Sequence, residues 1–418
     1  MKLSATQQES WIRLSLAAMP TARAREILRH FDGPQALLDA AVSRPQTLES
    51  EHKISKRAIE KLQLAARRDV SEQLQAMEKH DITIVTEELF PPLLGEIGDD
   101  TPAWLFARGA LVPADAHCIA IVGTRNVTEY GRGLAHRFAL EFARAGWTVV
   151  SGLARGIDTA AHRGALDGGG RTIAVTACGL DMVYPPENRD LMLEIERNGA
   201  VLSEWAPGTP PASWHFPARN RLVAGLSCAV VVVEAQPKSG ALISAGFAVD
   251  HDRQVFAVPG NVHKPQSHGP HQLIREGTAI LAQNADDVLQ YLANSFSAPG
   301  LNLAQDLAMD EAEAAEPSEI ASIKGAEPTP PISRRLNTTT SPTSLTSARP
   351  AIPTVGPRPD FSDDENKVWL ALDVEPRHLD DIADQADLEI RVTNSAIVML
   401  ELKGAVKKLP GNLFVKIV

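Results

Sequence analysis

Between residues 117 and 292, short apolar runs rich in β-branched residues recur at Cys118–Val122, Thr148–Val150, Thr172–Val175, Val201–Leu202, Ala229–Val233 and Val255–Val258. Most are separated by stretches with helical spacing. In Tyr130–Ala145, for example, Leu134, Phe138 and Phe142 fall on one stripe, each a helical turn from the next. Near-continuous apolar strands alternating with helices predict a parallel sheet covered on both faces, that is, a doubly wound α/β domain.

The flanks have other rhythms. In residues 1–80, Trp11, Leu14 and Leu16 share one segment, and Ala24, Ile27 and Phe31 recur at helical intervals. Gly33-Pro34 then breaks the pattern before a short helix through Leu37 and Leu38. Two readings stand for this region, a helix-hairpin-helix clamp on a DNA backbone and a helical interaction module. Residues 82–111 contain Pro91, Pro92 and Pro102 and read as an extended connector packed on the α/β domain behind it. Residues 293–359 are dominated by Ala, Glu, Pro, Ser and Thr and read as a disordered linker, because such a segment buries too little apolar surface to offset its ordering entropy.

From residue 360 the helical period returns. Ser362 and Glu365 form a capping-box pattern ahead of Val368 and Leu372. A second helix carries Leu379, Ile382 and Ala386, and a third runs from Thr393 through Ile397 and Leu400 to Gly404. Leu409, the turn Pro410-Gly411 and alternating Leu413, Val415 and Ile417 predict a β-hairpin. Three helices and a hairpin over 360–418 match the winged-helix plan. The segment is acidic except near Lys403, Lys407 and Lys408, so a protein-binding module stands beside a DNA-binding one.

Composition narrows the class. The chain has 418 residues, 44% hydrophobic and 22% charged, which excludes wholesale disorder and a collagen-like or disulfide scaffold. No apolar run approaches ~18 residues, so no membrane insertion is expected. Met1–Ala17 mixes Gln, Glu and Arg with its apolar residues, unlike a signal peptide, so a cytoplasmic location is expected. Cys118, Cys178 and Cys228 lie in or beside strand-like runs without zinc-ligand spacing and read as small buried hydrophobes. The net charge of -11 argues against a nucleic-acid binder, but 7 of those 11 excess negative charges lie beyond residue 292. The centre is nearly balanced, which leaves room for a local basic pocket.

In an open parallel sheet, ligands bind outside the carboxyl ends of the strands. Here those exits read Gly123-Thr124-Arg125, then Ser151-Gly152-Leu153-Ala154-Arg155-Gly156-Ile157-Asp158, Cys178-Gly179, Glu234 with Ser239-Gly240, and Pro259-Gly260. Glycines let backbone approach a ligand, amides at a helix start favour an anion, and Arg125 supplies a planar charged fork suited to phosphate. Together they predict phosphate binding at one sheet edge. Arg219-Asn220-Arg221, after Phe216-Pro217, reads either as a second phosphate grip or as a helix-entry salt-bridge cluster. Trp214 and Phe216 are suited either to stacking on a base or to the core. Asp158 and His162, spaced i, i+4, read as a cap and pin for their helix rather than as an acid/base pair. No Gly-x-Gly-x-x-Gly comes after the first strand, no Walker lysine appears, and no nucleophile–His–acid set emerges, so neither a cofactor nor catalysis is expected.

The order Val122-Gly-Thr-Arg, Tyr130-Gly, Ser151-Gly-Leu-Ala-Arg-Gly-Ile-Asp, Ala161-His162, Tyr184-Pro185, Ser203-Glu204, Phe216-Pro-Ala-Arg-Asn-Arg, Val233-Glu-Ala, Ser239-Gly and Phe256-Ala-Val-Pro-Gly resembles the DNA-processing protein A (Smf) family across roughly 80–290. The resemblance implies an extended Rossmann-like sheet domain over 81–292. It also implies a small helical domain of SAM or helix-hairpin-helix type in front and a winged helix behind. It implies a non-enzymatic homodimer that binds and protects single-stranded DNA during natural transformation and helps load the RecA recombinase. The family's phosphate pocket falls here on Gly123, Thr124 and Arg125. The expected site extends this set to Gly152, Arg155, Gly156, Arg219, Asn220, Arg221, Ser239 and Gly240. Ser244 stands where the family commonly has threonine and keeps the hydroxyl. An enzyme of the nucleotide phosphoribohydrolase type is disfavoured, because Glu234–Gly240 reads Glu-Ala-Gln-Pro-Lys-Ser-Gly where those proteins carry Pro-Gly-Gly-x-Gly-Thr. A DNA-responsive regulator acting through residues 360–418 would require duplex binding there.

Overall fold

The structure is a computed structural model that describes residues 3–19, 21–295, 361–372, 377–403, 405–409 and 413–416. Six helices lead the chain: α1 (Ala5–Leu16), α2 (Thr21–Leu28), α3 (Gly33–Ser43), α4 (Pro45–Ser50), α5 (Lys56–Ala66) and α6 (Ser71–Lys79). The sheet then begins with β1 (Thr83–Thr86), α7 (Pro92–Gly95) and β2 (Trp104–Gly109). Its parallel part comes next as β3 (Cys118–Val122), α8 (Glu129–Arg144), β4 (Thr148–Ser151), α9 (Ile157–Asp167), β5 (Thr172–Val175), α10 (Arg189–Asn198) and β6 (Gly199–Ser203). It ends with α11 (His215–Gly225), β7 (Ala229–Val232), α12 (Gly240–Asp250), β8 (Gln254–Ala257), α13 (His268–Arg275), β9 (Ile280–Leu281) and α14 (Ala285–Ser295).

The nine strands form one sheet in the order β1-β2-β6-β5-β4-β3-β7-β8-β9. From β6 to β9 all neighbours are parallel, so the doubly wound α/β prediction is met. Alternation along β3 explains why both faces are covered. Cys118, Ala120 and Val122 join the core beneath α11 and α12, while Ile119 and Ile121 join the core beneath α8 and α9. The chain winds outward from β3 through β4 to β6 on one side and through β7 to β9 on the other. The strand order therefore reverses at β3, the place where such folds open a crevice.

Residues 82–111 depart from expectation. They are not a connector but supply β1 and β2, an antiparallel pair that joins β6 through β2. Trp104, Leu105, Phe106 and Ala107 are buried on both faces, and the prolines lie outside the strands, with Pro92 opening α7. Their apolar run is short and flanked by turn residues, which disguises it. The leading helices are joined to this edge. Ile12, Leu14, Leu37, Leu48 and Leu62 share one core with Trp104, Phe106, Leu180 and Ile195, and the rings of Trp11 and Trp104 lie 5.6 Å apart.

In the C-terminal part, helices Asp363–Ala371, Leu379–Ala386 and Ile390–Leu402 pack with strands β10 (Arg377–His378), β11 (Val406–Leu409) and β12 (Leu413–Lys416) around Trp369, Ile397, Leu400 and Phe414. The capping box forms as the spacing predicts. The Ser362 amide donates to Glu365 Oε2 at 2.7 Å and the Glu365 amide to Ser362 Oγ at 3.3 Å. The third helix begins at Ile390, ahead of the expected Thr393, whose hydroxyl instead donates to the Glu389 carbonyl inside the first turn. Gly404, Pro410-Gly411 and Ile417 lie outside the described residues, as does the predicted linker beyond Ser295. Among the described residues, no helix is long and apolar enough to cross a membrane.

Candidate nucleic-acid interface

A cleft of about 960 Å³ opens at the carboxyl ends of β3, β4 and β7, where the strand order reverses. Gly123, Thr124, Arg125, Gly152, Arg219, Asn220, Ser239, Gly240 and Ser244 all line it. Three of the five glycine-bearing exits thus converge. The other two do not, since Gly179 packs against Asp181 and Pro207, and Gly260 lies against Ser267.

Close packing at the exits explains their composition. A Cβ on Gly123 would collide with Ile157 and the Glu234 carbonyl, and Thr124 donates its amide to that same carbonyl at 2.7 Å. A Cβ on Gly152 would occupy the Arg219 guanidinium. Gly156 has φ +81, a left-handed conformation that L side chains rarely adopt, and its Cα faces the carbonyls of Thr124 and Arg125. It therefore supports the Gly123–Arg125 loop from beneath rather than lining the cleft.

The helices that follow β3, β4 and β7 start at this edge, and their N-termini are filled differently. At α8, Glu234 accepts from the Thr128 amide at 2.9 Å and from its hydroxyl at 2.5 Å. At α9, Asp158 accepts from the amides of Gly152 and Ala154 at 3.1 and 3.3 Å. Burial pushes the Asp158 carboxyl above its ordinary value, against the pull of the Arg219 charge and these two amides. At α12, Ser239 caps the helix, the first turn holds no acidic residue, and the space around Gly240 is open. Among these three starts, α12 is the one that no carboxylate occupies, and it faces the cleft.

Arg219 is 4% exposed, donates Nη1 to the Val175 carbonyl at 2.5 Å, and has no hydrogen-bond partner at Nε among the described residues. Burial pulls its pKa down to about 10, against the Asp158 charge, so at neutral pH it remains a cation, with the Val175 carbonyl as its hydrogen-bond acceptor. Arg125 is exposed, with its guanidinium 4.9 Å above the Phe216 ring, and Phe216 in turn lies 5.5 Å from Tyr184. The Asn220 side chain donates to the Gly240 carbonyl at 3.0 Å and ties α11 to α12.

Besides Gly156, two expected site residues lie elsewhere. Arg221 is not in the cleft. Residues two apart on a helix point about 200° apart, so it faces the opposite side from Arg219. There it grips Glu204 through two contacts of 2.6 Å and donates to the Thr21 hydroxyl at 2.9 Å. This is the salt-bridge alternative for that segment. Arg155 sits at a small adjoining opening with Tyr184, Pro185 and Phe216, and is paired with Glu187. His162 is also remote, fully buried against the Thr172 hydroxyl at 2.7 Å, and burial holds its pKa down at about 3. The three cysteines are free and buried, and burial raises the thiols of Cys178 and Cys228 to about 11.

Sequence reasoning missed Lys238, which lines the cleft beside Ser239 with φ +65. A lysine directly before a helix-capping serine is the signal that was available. Tyr184 and Asp158, noted in the sequence for other reasons, also line the cleft.

A family model described as DNA recombination-mediator protein A matches residues 81–293, and one described as DprA winged helix domain matches 347–412. The chain belongs to the DNA processing protein A (DprA/Smf) family. Protein Smf of Synechocystis is 33% identical over 97% of this chain and 98% of its own length. The DNA processing protein DprA of Streptococcus pneumoniae is 40% identical over 50% of this chain and 73% of its own. The X-ray structure of the Streptococcus pneumoniae protein superposes with a TM-score of 0.58 at 33% identity, covering 69% of this chain and 98% of that one. The extended Rossmann-like sheet and the winged-helix region are thereby those of the family.

Proposed function

We propose that the protein is a non-enzymatic recombination mediator that binds single-stranded DNA in the cytoplasm, acts as a homodimer, and protects incoming strands and helps load RecA during natural transformation. The observation that carries the DNA part is the cleft at the strand reversal, which gathers Arg125, Arg219 and Lys238 with the open N-terminus of α12. These groups suit phosphate oxygens, and the Tyr184–Phe216 pair beside Arg125 suits a nucleobase face. A single strand fits this combination because both its bases and its backbone are accessible. The cleft carboxylate, Asp158, is committed to two amides, which supports binding over acid/base chemistry. The RecA, dimer and transformation parts rest on family membership.

A salt titration of the full-length protein with single-stranded and duplex oligonucleotides tests the reading. Expected is preferential, salt-sensitive binding of single strands with little sequence preference, because neutralised phosphates release counterions. Arg125→Ala weakens all single strands alike by roughly tenfold. Equal affinity of that variant and the parent would remove Arg125 from the site, and equal affinity for duplex would overturn the preference.

A further inference from the structure

Of the six tryptophans in the chain, Trp214 alone is exposed, at 59%. Trp104, Trp147 and Trp369 are buried, and Trp11 and Trp205 are partly buried. Trp214 precedes α11, next to Pro211, Ala212 and Ser213, which form one lip of the cleft. It does not itself line the cleft. Phe216, two residues on, does, and the two side chains leave the helix start about 200° apart. The indole therefore stands on the outer side of the lip whose inner side carries the Phe216 ring.

The indole is also held in place. It meets the His215 ring edge-on, with centroids 4.1 Å apart at 75°, and His215 also packs against Trp205, with centroids 4.3 Å apart. His215 is 3% exposed and donates Nδ1–H to the Ala177 carbonyl at 3.0 Å. Burial lowers its pKa, so the support is a neutral ring at pH 7. An anchored ring with a wet face loses little conformational entropy when a flat partner covers it. Stacking on a base is tolerant of sequence because every base has a π-face.

We propose that the free face of Trp214 is a stacking platform for one base of a single strand, outside the cleft and continuous with it across the Pro211–Ser213 lip. This rests on the single-strand reading above. It predicts a footprint longer than the cleft itself, with bases on Phe216 and Trp214 separated by the lip.

The test uses the full-length protein, W214F and W214A, with oligothymidines of about 4 and about 16 nucleotides, the span of known single-strand sites. Binding is followed by anisotropy of a labelled strand and by intrinsic fluorescence. Expected is that the longer strand quenches the part of the emission that W214F lacks. W214A weakens the longer strand about tenfold and leaves the shorter within about twofold, while W214F stays within about threefold of the parent on both. The platform is overturned if W214A holds the longer strand as tightly as the parent, or if the Trp214 emission is unchanged at saturation. If Arg125→Ala weakens binding but W214A does not alter it, the cleft stands and only the platform falls. If the parent binds neither strand, the single-strand reading falls and takes the platform with it.

Discussion

Arg219 and Arg221 leave the same helix on opposite sides, and their surroundings treat a buried guanidinium in opposite ways. On the core side Glu204 meets Arg221 in two contacts, Thr21 and the Ala218 carbonyl take further donors, and Asp100 lies 3.9 Å from Nε. Burial works against the charge of Arg221, but the Glu204 carboxylate outweighs it and holds the pKa above its ordinary value. On the cleft side Arg219 has one carbonyl, the Asp158 carboxylate reaches it only through space, and burial pulls its pKa down to about 10. The core seam is electrostatically closed. The cleft is left with a charge that an incoming anion can complete, because a buried ion without hydrogen-bonded compensation is costly.

That contrast can be broken most forcefully at Glu204. Glu204→Ala strands the Arg221 charge and is expected to cost about 3–5 kcal/mol in denaturant unfolding, with affinity for single strands unchanged in the fraction that folds. A loss below about 1 kcal/mol would mean that the seam contributes no more than a surface pair. Arg219→Met is expected to do the reverse. It removes a buried cation but also the charge opposite Asp158, so the melting temperature changes by no more than a few degrees, on the order of 1 kcal/mol, while binding weakens more than tenfold. A fall in melting temperature comparable to that of Glu204→Ala would erase the difference between the two sides.

His162 reads out the cleft side by pH. Its pKa in the fold is about 3, partly because the Arg219 charge adds to burial, whereas the unfolded chain's histidine titrates near ~6.5. Below that value the unfolded state takes up a proton that the folded state refuses. The contribution of His162 is therefore fully present above ~6.5 and is lost as pH falls toward about 3, at up to about 1.4 kcal/mol per pH unit. His162→Gln should flatten the stability profile between these limits, and identical profiles for the two proteins would contradict the buried neutral ring. The smallest effect is expected at Lys238. Lys238→Gly relieves a left-handed lysine worth roughly 1 kcal/mol, which the added freedom of the unfolded chain offsets. Stability stays nearly constant, and the salt dependence of single-strand binding loses about one ion. An unchanged slope would place Lys238 off the phosphate path.

The sequence carried the site as far as local chemistry reaches. Gly123, Gly152 and Gly240 come after apolar runs, and the rule that ligands gather beyond strand ends brings them together without knowledge of the packing. Which exits converge was not legible, because it depends on the strand order, and Gly179 and Gly260 look the same in one dimension. The division between Arg219 and Arg221 is open in the sequence for a similar reason. It is decided by Glu204, a partner at the end of another strand, and by the turn of the helix. The β1–β2 pair is hidden in the sequence because Pro91, Pro92 and Pro102 lie between and beside its strands and signal a break where the chain only changes direction. Lys238 was overlooked because its left-handed backbone is imposed by the loop and is uncommon for any residue except glycine, asparagine and aspartate.

The contact between Trp11 and Trp104 has a practical consequence. Helices α1 to α6 do not decorate the sheet but roof it over β2 and α10, so trimming the chain to the strand-bearing region would strip water-excluding cover from Trp104, Phe106 and Ile195 together. Such a trimmed piece would expose a greasy flank and clump, and its failure to hold DNA would report on solubility rather than on the cleft.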